Sequence, residues 1–253
     1  MNPNSLTDTH FHLSLKDDID GILKRARENN VENFILSCCS VKSIKEGLEI
    51  IKKYPNIYLT IGIHPDEIET INKDIVSYLE NIIVNNSKII GIGEIGLDYF
   101  HNKDNKKDQI KLFESQLELA KKLNLPVVIH SREATNDTYN ILKKYKLKTT
   151  IRCFTGSIET AKLYIKEGYL LGIGGVSTFK NTNLKNTLKG IPLENIVFET
   201  DSPYLSPFPY RGAINEPKNI SIICDNLCSI KNISKEEVIK VTTNNVIKQY
   251  NIM

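Results

Sequence analysis

Short runs of β-type residues alternate with amphipathic helical segments from one end of this chain to the other. That alternation restricts the fold more than any other feature. Strand-like runs lie near residues 6–12, 31–39, 57–63, 89–96, 126–131, 149–154, 169–175 and 196–201. Helical periodicity fills the intervals near 17–29, 42–53, 72–85, 106–123, 134–145, 158–167 and 183–189, and two more helical segments follow near 216–230 and 234–250. In 106–123, Ile110, Phe113, Leu117 and Ala120 fall on one stripe at helical spacing. Leu125-Pro126 stops that helix and hands over to the next strand. Eight strand–helix units without a linker, repeat array or low-complexity break predict an α/β fold, a single (β/α)8 TIM barrel spanning residues 1–253 as one domain. The rival is a doubly wound sheet, which usually carries a glycine-rich phosphate loop after its first strand. None follows strand one here, and Gly91-Ile92-Gly93-Glu94-Ile95-Gly96 continues an apolar strand instead of opening a helix.

Composition narrows the function classes. The formal net charge of +3 is too weak by itself to argue for a nucleic-acid binder, which usually concentrates a basic patch. Cys38, Cys39, Cys153, Cys224 and Cys228 show no paired CxxC spacing, so free and mostly buried thiols in a reducing compartment are expected. The N-terminus lacks a charged stretch followed by an apolar one, and no run reaches the ~18 apolar residues of a membrane span. A cytoplasmic protein without membrane association is the expectation, and no obligatory protein partner is evident.

The chemistry starts at Thr7-Asp8-Thr9-His10-Phe11-His12. Side chains two apart on a strand share a face, so His10 and His12 aim their imidazoles at a common point while Phe11 turns away. A barrel places its chemistry at the C-terminal ends of its strands. There the chain has His64 before Pro65, Glu94, His130-Ser131-Arg132, Arg152-Cys153-Phe154 and Glu199-Thr200-Asp201. Imidazoles and carboxylates on one rim make a mixed nitrogen and oxygen set suited to zinc, manganese or magnesium. Asp201 could hold the ion and also take a proton from water. Duller roles compete: Glu94 as a buried carboxylate paired with Arg132, His64 bonding its own loop, His101 as a solvated loop residue.

The motifs Thr7–His12, Gly62-Ile63-His64-Pro65, Gly93-Glu94-Ile95-Gly96-Leu97-Asp98-Tyr99, Val128–Arg132, Cys153-Phe154-Thr155-Gly156-Ser157, Glu199–Leu205, and Tyr210-Arg211-Gly212 with Asn215-Glu216-Pro217 resemble, in order and over nearly the whole chain, the TatD family of metal-dependent deoxyribonucleases. That family belongs to the amidohydrolase-like metal-dependent barrels. The resemblance implies a (β/α)8 barrel holding two divalent metals and hydrolysing DNA phosphodiesters, typically from the 3′ end. It implies that His10, His12, Glu94 and Asp201 hold one metal. Glu94 would bridge to a second, held by His130 and by a histidine just before Cys-Phe-Thr-Gly. Glu94 and Asp201 are then the catalytic carboxylates, and His64, Ser131, Arg132, Arg152 and Arg211 the candidate substrate contacts.

The chain departs from the pattern where that last histidine belongs, because the residue is Arg152. A guanidinium stays protonated and offers no lone pair to a metal. Strand alternation turns Cys153 away from the same face. The loop after strand eight also departs: the family often has basic residues before Asn-Glu-Pro, and this chain has Ala213 and Ile214. Arg152 either stands in for the second cation, pairing with Glu94 or clamping a phosphate, or marks a decayed site. The first reading predicts one tightly held divalent metal per chain and a DNA substrate, single-stranded or with frayed ends. Two rivals are a metal-dependent ester or amide hydrolase, such as an aminoacyl-ester deacylase, and an inactive nucleic-acid-binding homologue.

Overall fold

The computed structural model describes residues 1–71, 73–101 and 103–252. Strands and helices alternate as β1 (Leu6–Phe11), α1 (Ile19–Arg27), β2 (Val31–Cys38), α2 (Val41–Lys53), β3 (Ile57–Ile61), α3 (Ile75–Val84), β4 (Ile89–Asp98), α4 (Lys106–Leu123), β5 (Val127–Arg132), α5 (Thr135–Tyr145), β6 (Thr149–Ile151), α6 (Ile158–Lys166), β7 (Leu170–Ile173), α7 (Leu184–Gly190), β8 (Ile196–Phe198), α8 (Ile220–Lys231) and α9 (Lys235–Tyr250). The strands follow sequence order in an eight-stranded sheet, with parallel pairing. This is the (β/α)8 fold. The helix expected from residue 72 starts at Ile75, and residue 72 itself lies outside the described residues.

β3 and β7 stop two residues before their expected ends, and β6 and β8 stop three residues before theirs. β6 ends at Ile151 and β8 at Phe198, where strands to 154 and 201 were expected. The backbone turns instead, with φ of +46° at Cys153 and +57° at Asp201. Left-handed conformations at non-glycine residues break a strand and cluster at functional sites. Strand alternation therefore does not decide where Cys153 points. Its amide N–H donates to the Glu199 carboxylate at 2.7 Å.

Residues 1–36 and 152–253 form one compact unit and residues 37–151 another. In the first, all six residues of β1 are buried, polar Thr7, Asp8, Thr9 and His10 included. Helix α9 fastens the starts of β1 and β8. Thr243 Oγ1 donates to the Ser5 carbonyl at 2.9 Å, and Asn245 Nδ2 donates to the carbonyls of Leu193 at 3.0 Å and Ile196 at 2.8 Å.

In the second unit, β4 is buried at all ten positions and packs against α4. The expected α4 stripe holds for Phe113, Leu117 and Ala120, whereas Ile110 is only half-buried. Two glutamines seven residues apart, and so on one face, complete the buried side. Gln109 accepts the Asp98 N–H and donates to the Asp98 carbonyl, both at 2.9 Å. Gln116 accepts the Ile63 N–H at 2.8 Å and donates to the Ile63 carbonyl at 3.1 Å. Each side-chain amide satisfies a peptide group that the end of a strand would otherwise leave open. The fixed points are the backbone just before His64 and the last residue of β4.

Gly96 lies between Glu94 and Asp98 with φ of +144°, and a Cβ there would sit 2.0 Å from the His130 carbonyl oxygen. Only glycine allows β4 and β5 to approach this closely. Gly96→Ala is expected to lower stability by about 3 kcal/mol, measured by urea denaturation, with loss of order at Glu94 and His130.

Candidate metal site

In the unit that contains both chain ends, His10 on β1 and His12 just beyond its end reach a common point, as their period-two spacing predicts. Their rings lie 5.1 Å apart, edge to face. The two Nε2 atoms stand 3.7 and 3.4 Å from Asp201 Oδ1. The backbone sets this meeting. The Asp201 N–H donates to the His10 carbonyl at 2.9 Å, and the His12 N–H donates to the Ser202 carbonyl at 2.8 Å. Below them the buried Asp8 carboxylate accepts the Thr200 hydroxyl at 2.6 Å and the Thr200 N–H at 3.0 Å. The segment bearing Asp201 is thereby tied to β1 by main chain and side chain together.

Arg152 is seated inside this group. The carboxylate that takes its guanidinium is Asp201, in an ion pair nearly shielded from water. The positive-φ turn after β6 carries the guanidinium to Asp201. Next to it the fully buried Glu199 accepts the Cys153 N–H with Oε1, while Oε2 meets no hydrogen-bond donor among the described residues. Gly172 leaves the room, since a Cβ there would lie 2.1 Å from Oε2. Burial pushes Glu199 up to about 8, against the opposing pull of the Arg152 charge. Burial likewise raises Asp8 to about 7, opposed by its hydrogen bonds from Thr200.

In the unit of residues 37–151, a second group gathers His64, Glu94 and His130. His130 Nδ1 lies 2.8 Å from Glu94 Oε1, and its Nε2 lies 2.9 Å from Asp98 Oδ2. The anchor here is Asp98, which sequence reasoning quoted within a motif but gave no role. It is fully buried, and it also accepts the N–H groups of Phe100 and His101 at 2.9 Å each. Burial alone would raise its carboxyl, but the hydrogen bonds from His130 and His101 hold it well below the usual carboxylate range. A carboxylate behind a ligand imidazole fixes the ring's orientation. The available signal was spacing, since Glu94 and Asp98 are four apart on one strand and so share a face.

His64 fills the loop-bonding role considered for it. Its Nδ1 accepts the Asp66 N–H at 3.2 Å, capping the turn that begins at Pro65, while its Nε2 faces Glu94 Oε1 at 3.7 Å. With Nδ1 accepting, the proton of a neutral ring sits on Nε2. His101, expected in solvent, is half exposed yet bonds Asp98 Oδ2 through Nδ1 at 2.9 Å. Ser131 Oγ pairs with Thr138 Oγ1 at 3.0 Å. Arg132 lies 4.0 Å over the Phe100 ring and not against Glu94, and Arg211 lies 4.6 Å over the Phe179 ring. The five cysteines are free thiols.

The ligand atoms in each group lie within 4.8 Å of one another, which is the spread a single cation spans. Two imidazoles and a carboxylate, nearly all buried, suit zinc, manganese or magnesium. The Glu94–His130 pair brings the same atom types. Such donor sets, carried on the strands of a (β/α)8 chain and on the segments that follow them, define a metal-dependent hydrolase.

Comparison with known proteins agrees. Residues 7–251 match the profile of the family described as TatD related DNase. The uncharacterized metal-dependent hydrolase YabD of Bacillus subtilis is 34% identical, over 98% of this chain and 99% of its own length. The human deoxyribonuclease TATDN3 is 33% identical over 97% of this chain and 94% of its length. Among solved structures, YJJV, a TatD homologue from Escherichia coli, superposes with a TM-score of 0.94 at 26% identity, covering 99% of this chain and all of that one. The chain belongs to the TatD related DNase family.

Between the ordinary 4.5 of a glutamate and the value of about 8 reached by Glu199, the unfolded chain has released a proton that the folded chain keeps. Folding then takes up a proton, so stability falls as pH rises through that interval. Glu199→Gln carries no such proton. Thermal melts of metal-free protein from pH 5 to pH 8 are expected to show a shallower decline for this variant than for wild type.

Proposed function

We propose that this protein hydrolyses DNA phosphodiester bonds with the help of a divalent ion, removing nucleotides from the 3′ end of single-stranded DNA or frayed duplex ends. The observation that carries the reading is the convergence of His10, His12 and Asp201 on one point. The name of the human relative supports DNA as the substrate, and the family resemblance supports the 3′ polarity.

In this reading one ion is held tightly by His10, His12 and Asp201. Glu94 and His130, short of the histidine that Arg152 replaces, hold a second ion only weakly. A divalent ion supplies Lewis acidity toward a phosphoryl oxygen. The remaining steps belong to the chain. Asp201 accepts the proton of the attacking water, with Glu94 as the other catalytic carboxylate. Arg152 brings a fixed positive charge beside Asp201, where it stabilises negative charge developing on the phosphoryl group. Its fork can take two oxygens at once. His64 offers an N–H from Nε2, and Ser131, Arg132 and Arg211 supply further phosphate contacts. Five free thiols fit a cytoplasmic location, and among the described residues no helix is long and apolar enough to cross a membrane.

Labelled single-stranded DNA, incubated with and without chelator and then with manganese, magnesium or zinc restored, tests the proposal. Chelator-sensitive release of mononucleotides is the expected result. Cleavage of small carboxylic esters with DNA untouched would replace it with the ester-hydrolase alternative. Arg152→His restores an imidazole where the family pattern has one. It is expected to add a second ion by elemental analysis and to raise DNA turnover roughly tenfold or more.

A further inference from the structure

The loop between Asp201 and Glu216 presents an unusual surface. Tyr204 is 63% exposed, Leu205 39%, Phe208 52%, Tyr210 52% and Ile214 80%. Five large apolar side chains turned to water within eleven residues normally mark a binding surface. The loop is not slack. Buried Asn215 donates through Nδ2 to the Thr200 carbonyl at 2.9 Å and the Tyr204 carbonyl at 2.7 Å. Ser206 Oγ closes the loop on the Ala213 carbonyl at 2.6 Å. The Phe208 N–H donates to Thr178 Oγ1 at 2.8 Å. The frame is internally bonded while its rings face outward.

Charge indicates what covers those rings. Arg211 stacks over Phe179, and Lys180 Nζ lies 5.4 Å from the centre of the Phe208 ring. Residues 168–193 contain Lys180, Lys185 and Lys189 and no carboxylate side chain, and residues 202–215 contain Arg211 and none either. The surface also begins at the metal ligands. The Tyr204 N–H donates to the Asp201 carbonyl at 2.9 Å, and the Tyr204 ring lies 6.3 Å from the His12 ring. Aromatic faces interleaved with cations, free of acidic groups, match a polyanion whose bases are unpaired and able to stack. An apolar protein partner would not call for the cations, and a duplex would not offer its base faces.

We propose that Tyr204, Phe208 and Tyr210 form a stacking platform for the bases of single-stranded DNA, with Lys180 and Arg211 holding the intervening phosphates. This deepens the reading of the chain as a DNA hydrolase and rests on it. Ile214, 80% exposed on the same loop, adds apolar contact beside the rings.

The test is fluorescence anisotropy with a labelled oligothymidylate of twelve nucleotides, in chelator so that nothing is hydrolysed. The comparisons are an abasic sugar–phosphate chain of the same length and a duplex. Wild type is expected to bind the oligothymidylate about tenfold or more tighter than either. Phe208→Ala with Tyr210→Ala is expected to erase that preference and leave binding of the abasic chain unchanged. Phe208→Tyr with Tyr210→Phe keeps the rings and is expected to restore the preference, which separates stacking from a folding defect. Lys180→Ala with Arg211→Ala is expected to flatten the salt dependence for both chains. Equal affinity for based and abasic chains would overturn the proposal. So would a dimer that forms through this loop, detected as concentration-dependent self-association abolished in the double alanine variant. Because binding is read without turnover, the two readings fail separately. DNA hydrolysis with base-independent binding removes the platform alone, whereas base-dependent binding without hydrolysis supports the platform and removes the nuclease.

Discussion

Two backbone hydrogen bonds govern the candidate metal site: Asp201 N–H to the His10 carbonyl, and His12 N–H to the Ser202 carbonyl. They place a carboxylate beside two imidazoles separated from it by nearly two hundred residues of chain. Maintaining them forces Asp201 into a left-handed conformation, a local cost that folded proteins accept at functional positions. The buried Asp8 offsets part of that cost by gripping Thr200 through both its hydroxyl and its amide. Buried acids then accumulate beneath the ligands. Glu199 and Asp8 both rise because burial disfavours their charged forms. Arg152 brings a positive charge among them, ion-paired with Asp201, and so balances the acids.

The unit of residues 37–151 uses a different device. Its helix α4 contributes two buried side-chain amides that act as substitute peptide groups for strand ends. They fix Ile63 and Asp98, and through them His64 and His130. Asp98 is held by its own backbone and in turn holds the His130 ring, so orientation passes from a helix through a carboxylate to an imidazole. The close approach at Gly96 keeps β4 and β5 near enough for this to work.

Much of this was legible in the amino-acid order. The alternation of strand and helix gave the fold, and period-two spacing put His10 and His12 on one face. What escaped were positions where a polar residue serves the backbone and not the substrate. Gln109 and Gln116 sit in slots that a polar/apolar pattern assigns to solvent, and Asp98 looks like the last residue of an apolar run. The ends of β6 and β8 were misjudged because the positive φ at Cys153 and Asp201 marks where the backbone turns away. Residue type alone does not announce that conformation. The turn after β6 also sets where the Arg152 guanidinium goes, and it reaches Asp201.

The central claim is that His10, His12 and Asp201 together hold the one tightly bound ion of this chain. Elemental analysis of purified wild type beside His12→Gln and Asp201→Asn addresses it most directly. The account predicts about one equivalent of divalent metal in the wild type and its loss from both variants, with each variant still folded by circular dichroism. Two tightly bound equivalents in the wild type, or metal retained by both variants, would contradict it.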